Sequence, residues 1–144
     1  MTAPAPIDPR GPRVNQGVLT VVLLAAFVGD LRVLAPVMAA VLFLGAAFGP
    51  RYGPVLRFYS DVVRPRLHPP RHLEDPRPPR FAAAIGTMFL AAATIAFLLD
   101  AQVLAWALVL VVALLAGLAA VSGLCIGCEL YLFVARRRGV ELVA

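Results

Sequence analysis

The sequence predicts an all-α, polytopic membrane protein. Four transmembrane helices form two hairpins, joined by a cytoplasmic arginine- and proline-rich loop that carries a short amphipathic helix. Three observations lead to this fold class. Of the 144 residues, 61% are hydrophobic and 15% charged, against roughly 45–50% and about 25% in soluble domains. The apolar residues gather in four long stretches almost free of charge. The remaining charge is sorted: all 13 cationic residues are arginine, and 12 of them lie in segments that four crossings place on one side. The length suits a single membrane domain, residues 1–144.

Residues 14–28 and 33–48 are apolar and are separated by Gly29-Asp30-Leu31-Arg32. One straight helix over both would run about 52 Å at 1.5 Å per residue, too long for a hydrocarbon layer of about 30 Å. Two spans, 14–29 and 32–49, with a polar turn between them fit better. Arg10 and Arg13 before an apolar run also resemble a cleavable leader. No small-residue cleavage site precedes Gly29, however, and a second apolar stretch follows at once.

Eight of the 13 prolines fall within residues 50–79, so the proline excess marks a loop, residues 50–80. Within it, Pro54 suits a helix start and Pro65 a stop. Val55, Tyr59 and Val62 then share one face of a short amphipathic helix at the membrane surface, the alternative being a surface helix of an ordinary loop. Arg57, Arg64 and Arg66 are the candidate lipid-surface cations. Residues 64–79 read as extended, polyproline-like chain. Retention on the cytoplasmic side already accounts for the arginines, so no nucleic-acid partner is expected.

The third span is 81–99. The fourth is 102–122, with a helical extension to 135 and a weak point at Ser122-Gly123. The amino-terminal arginines (Arg10, Arg13), the seven of the loop and Arg136–Arg138 fall on the same side, leaving Arg32, Asp30 and Asp100 opposite. The positive-inside rule puts both termini in the cytoplasm, and the protein is expected in the inner (plasma) membrane. Asp30 and Asp100 are expected as helix N-caps. No carboxylate lies mid-span to continue a proton path.

The two cysteines stand together as Gly-Leu-Cys125-Ile-Gly-Cys128-Glu129. Three apart on a helix they share a face, within the separation a disulfide spans. Three readings stay open: a redox or sulfur-accepting pair, small apolar residues of a membrane helix, and a metal site with His68 and His72. Pro69 and Pro70 oppose the helix that would align those histidines. Cys128 lies about 12 Å along a helix from Arg136, which puts the pair near the cytoplasmic interface, where accessible thiols stay reduced. Glu129 would favour the neutral thiols, or serve as an interfacial charge. No cofactor is expected. No phosphate-binding loop or dinucleotide fingerprint occurs, no histidine lies within a span, and Glu129 stands where a c-type haem motif needs histidine.

Residues 8–15 (Asp-Pro-Arg-Gly-Pro-Arg-Val-Asn), 78–82 (Pro-Pro-Arg-Phe-Ala) and 123–131 (Gly-Leu-Cys-Ile-Gly-Cys-Glu-Leu-Tyr) together resemble a family of small bacterial integral membrane proteins, domain of unknown function 4395. The resemblance runs from Asp8 to Phe133. It implies that Asn15, Arg80, Phe81, Cys125 and Cys128 match motif positions, and it carries no reaction. The leading functional expectation is thiol-redox or persulfide handling by Cys125 and Cys128, modulated by Glu129, with a cytoplasmic thioredoxin-like or sulfurtransferase-like partner. The alternative is a non-enzymatic scaffold subunit of a membrane complex or homo-oligomer. A small transporter is third, since no broken helix or buried charge pair marks a midplane site.

Overall fold

Proline and aspartate decide where two of the long helices begin. In the computed structural model, which describes residues 6–49, 52–70 and 73–139, six α-helices follow one another. They are α1 (Arg10–Val28), α2 (Leu34–Phe48), α3 (Pro54–Phe58), α4 (Arg77–Leu98), α5 (Gln102–Ser122) and α6 (Ile126–Arg137). After α3 the chain passes through a wide π-helical turn, Tyr59–Val63, and a tight 3-10 turn, Arg64–Arg66. Among the described residues there is no strand, only one isolated bridge.

The order of parts repeats. Asp8-Pro9-Arg10-Gly11-Pro12-Arg13 opens α1, and Asp75-Pro76-Arg77-Pro78-Pro79-Arg80 opens α4. Asp8 Oδ1 accepts the Arg10 N–H and Asp75 Oδ1 the Arg77 N–H, each at 2.9 Å. Each carboxylate thus satisfies one of the amides that a helix start leaves open. The residues just before these caps, Ile7 and Glu74, exchange both backbone hydrogen bonds at 2.9 Å, so α1 and α4 start side by side at the same end.

The helices α1 and α4 also stop in the same way. Asp30 and Asp100 take left-handed backbone angles, φ +49° and +56°. The amide one residue further on reaches back into each helix, Leu31 N–H to Ala26 O at 2.8 Å and Ala101 N–H to Ala96 O at 2.9 Å. This is the Schellman closure, usually built on glycine; aspartate also tolerates the left-handed region. The expected N-caps at Asp30 and Asp100 are thereby corrected: Val33 and Ala101 precede α2 and α5, and the two aspartates end the preceding helices. Asp30 pairs with Arg32 at 3.2 Å.

The second helix of each half ends at a positive-φ glycine, Gly49 (φ +100°) and Gly123 (φ +75°). A further helix then packs back on the first one: α3 on α1, and α6 on α4. The larger pairings cross between halves, α1 with α5 and α2 with α4. Arg80 of α4 donates from Nε to Ala46 O (3.0 Å) and from Nη2 to Ala47 O (2.9 Å) at the end of α2. Its counterpart Arg13 lies over Gly123 at the end of α5. Each cation therefore meets the negative end of a helix from the other half.

A core of Leu19, Leu23, Leu42, Leu90, Val109 and Val112, with several alanines, is shared by α1, α2, α4 and α5. Phe27 and Phe97 meet Trp106 edge-on, at 5.4 and 4.9 Å, near the two Schellman turns. Outward side chains such as Leu98, Val103, Leu114 and Val121 are apolar and exposed.

Three helices, not four, are long and apolar enough to cross a membrane: α1, α4 and α5. The expected span 32–49 is the 15-residue α2, about 22 Å long, because the Schellman turn takes its start and Gly49 its end. The loop also differs from expectation. The expected extended stretch 64–79 instead begins in the 3-10 turn Arg64–Arg66 and ends in α4, whose first turn holds Pro78 and Pro79, where a helix tolerates proline because those amides have no partner anyway. On α3 and the following turn, Tyr59 is buried and Val55 and Val62 half-buried, facing the protein.

Candidate functional site: a cysteine pair at the start of a helix

The site begins with the break after α5. Ser122 Oγ donates to Leu118 O (2.6 Å) and accepts the Leu124 N–H (3.1 Å), while the Gly123 N–H returns to Ala119 O (3.0 Å). Glycine takes the left-handed angles of residue 123 without strain. The chain is re-aimed there, and Cys125 becomes the residue that precedes α6, with extended backbone angles (φ −90°, ψ 109°). The two cysteines therefore do not share the face of one continuous helix, as their spacing alone suggests. Cys125 stands at the open end of α6 and Cys128 within its first turn.

That placement separates their chemistry. Both thiols are free and half-buried. The neighbouring Cys128 thiol, the largest influence, and the N–H groups of Cys128 and Gly127 favour the Cys125 thiolate; burial and Glu129 oppose them. The net effect lowers Cys125 from 9.0 to about 6. A thiol at a helix start is expected to move this way. Cys128 moves up, first because it holds its proton for Cys125, then through burial, the charge on Cys125, Glu74 and Glu129. The two thiols are thus pushed in opposite directions, Cys125 toward its thiolate and Cys128 toward the protonated form.

Gly127 lets α6 lie close on α4: a Cβ there would come within 2.8 Å of the Ala82 Cβ. The contact continues from Phe81 to Tyr131, ring centroids 5.5 Å apart. Glu129 is exposed in the first turn of α6, its N–H bonded to Cys125 O at 2.9 Å. Cys125 also lines a cavity of about 120 Å³ between the helices, together with Asn15, Gln16, Leu42, Gly45 and Arg80.

The other expected site residues are dispersed. His68 is exposed, its carbonyl accepting from Arg10 Nη1 at 3.3 Å. Among the described residues no cluster of histidine, cysteine and carboxylate can hold a metal; His72 lies outside them. Arg57, Arg64 and Arg66 are exposed, and Arg57 pairs with Asp61 at 3.9 Å. Two features went unread in the sequence. One is the cap position of Cys125, which the glycine two residues upstream signals. The other is the recurrence of Asp-Pro-Arg-x-Pro-Arg, which places Arg13 and Arg80.

The profile of one protein family, a domain of unknown function designated DUF4395, matches residues 7–136. The chain belongs to the DUF4395 family. No curated protein and no solved structure matches it. The matched span runs from the first Asp-Pro-Arg motif through both hairpins to the end region of α6, so the DUF4395 unit contains both halves of the repeat and the cysteine pair.

Proposed function

We propose that this DUF4395 protein is a membrane-embedded dithiol protein of the plasma membrane, exchanging electrons or sulfur with a soluble partner at the cytoplasmic face. In this reading the chain crosses four times, α2 being completed by flanking residues, and both termini face the cytoplasm. The observation that carries the reading is the position of Cys125 at the open end of α6, with Cys128 in the first turn of the same helix.

The exchange runs in two steps. The Cys125 thiolate attacks one sulfur of a disulfide on a thioredoxin-like partner. A Cys125–partner bond forms, and the partner's other sulfur leaves as thiolate. Cys128 then gives up its proton and attacks Cys125 Sγ, closing the Cys125–Cys128 bond and releasing the partner's first sulfur. The partner gains two electrons and this chain loses them; the reverse sequence reduces the chain. The same thiolate would accept the outer sulfur of a persulfide on a sulfurtransferase-like donor, releasing the donor thiol.

Trapping in cells tests the proposal. A Cys128→Ser chain is expected to accumulate a mixed disulfide on Cys125, since nothing resolves it, whereas Cys125→Ser accumulates none. If neither variant traps a partner, while a stoichiometric membrane complex survives loss of both cysteines, a scaffold role replaces the thiol reading.

A further inference from the structure

The cavity that Cys125 lines has features the thiol exchange alone does not use. Asn15 and Gln16 from α1 and Val41, Leu42 and Gly45 from α2 form part of its wall, at the end of those helices remote from the Asp30 turn. Although consecutive, α1 and α2 pack least among the neighbouring long helices, and the cavity lies where they leave room. Its size, about 120 Å³, is comparable to the roughly 150 Å³ of an engineered apolar cavity that takes up one benzene ring.

The lining is mostly apolar, with a few amide and guanidinium groups. Among the described residues the Asn15 and Gln16 carboxamides make no side-chain hydrogen bond, and no buried polar atom lacks a partner. Asn15 and Gln16 both line the cavity, so uncommitted carboxamide donors stand at its wall. Phe89, Val111 and Leu115 line the cavity and are also exposed on the outer apolar surface. An occupant therefore has an apolar way in, a ring-sized space, amide donors, and a thiolate-forming cysteine in the wall.

We propose that this cavity binds the single-ring head group of a lipid-soluble quinone, which takes two electrons from Cys125 and Cys128. The inference rests on the dithiol reading above and names the substrate on its membrane side. The quinone carbonyl oxygens accept hydrogen bonds from the Asn15 and Gln16 amides, and the ring lies against Cys125. The Cys125 thiolate adds to a ring carbon, and the displaced electron pair moves to the quinone oxygens. Cys128 then attacks Cys125 Sγ: the S–S bond forms, the C–S bond breaks, and its electron pair stays with the ring. One proton from Cys128 and one from water complete the quinol. A soluble dithiol partner returns the disulfide to the reduced state, so electrons pass from that partner to the quinone pool.

Gly45 supplies the test, since it lines the cavity and a Cβ built there meets nothing within 4 Å, so that wall has room for a side chain. Reduced full-length protein in phosphatidylcholine nanodiscs is mixed with a decyl-substituted benzoquinone, and quinol formation is followed by absorbance. A soluble aromatic disulfide reports thiol exchange separately. The expected result is saturable reduction of one quinone per chain, slowed by at least about tenfold in Gly45→Leu, with equal disulfide exchange in both proteins. Quinone reduction that is absent, non-saturable or unchanged in Gly45→Leu overturns the cavity assignment while exchange still upholds the dithiol reading. A phospholipid acyl chain found tightly held in the cavity overturns it as well. Failure of both quinone reduction and disulfide exchange removes the dithiol reading with it.

Discussion

Ile7 and Glu74, 67 positions apart in the chain, exchange both of their backbone hydrogen bonds at 2.9 Å. That bridge aligns the two Asp-Pro-Arg-x-Pro-Arg motifs, so that each half of the protein starts its first helix beside the other. From there the halves run in parallel: a capped long helix, a left-handed aspartate turn, a second helix, a positive-φ glycine, and a shorter helix folded back. The second half differs at one telling place. Where Gly53 precedes α3, Cys125 precedes α6.

The paired caps make a graded prediction about stability. Replacing Asp8 by alanine removes the acceptor for the Arg10 amide and should cost about 1 kcal/mol. Asp75→Ala should cost more, because the buried Asp75 carboxylate also holds the Arg77 guanidinium at 2.6 Å and its loss leaves that half-buried cation without this partner. Thermal unfolding in detergent, followed by helical circular dichroism, should order the proteins wild type, Asp8→Ala, Asp75→Ala.

Arg80 should behave as a helix-end clamp. Arg80→Met keeps the length of the stem but removes both donors to Ala46 O and Ala47 O, at an expected cost of about 1–3 kcal/mol. Amide hydrogen exchange should rise first in the last turn of α2. Protection that falls equally in all helices would argue against a local clamp.

Much of the fold was legible because apolar length is a strong signal in a chain of mean hydropathy +0.87. The long apolar runs became α1, α4 and α5 with ends displaced by a few residues, and the family resemblance held across residues 7–136. The rest was hidden for physical reasons. Aspartate serves both to open a helix and, in left-handed angles, to follow one, so Asp30 and Asp100 had two readings until the Leu31 and Ala101 amides were placed. The length of α2 depended on how many residues its flanking turns consumed. The repeat was masked because the two halves share few side chains beyond the motif at their start. The cap position of Cys125 depended on Gly123 being left-handed, which spacing alone does not reveal.

Gly123 is therefore a predicted control point for the thiols. Gly123→Ala places a methyl group where the Arg13 guanidinium lies and strains a φ of +75°, by roughly 1–2 kcal/mol for the backbone alone. The start of α6 should shift, and Cys125 should lose part of its activation. The expected readout is slower alkylation of Cys125 at neutral pH with helical content preserved.

The donor to Cys125 can be varied directly. Cys128→Ala removes the largest influence holding its thiol down, so the alkylation midpoint of Cys125 should rise from about 6 toward the ordinary thiol range near 8.5. In Cys128→Ser a hydroxyl still donates, and the midpoint should fall between the two. Identical midpoints in all three proteins would mean that Cys128 does not donate to Cys125.

The central claim is that Cys125 is a reactive thiolate facing the cytoplasm. The most direct measurement is labelling by a membrane-impermeant alkylating reagent, applied separately to inverted and right-side-out membrane vesicles across a pH series. The account predicts labelling of Cys125 in inverted vesicles only, with a midpoint near pH 6. Labelling from the outer side, or reaction at Cys125 that begins only above pH 8, would contradict it.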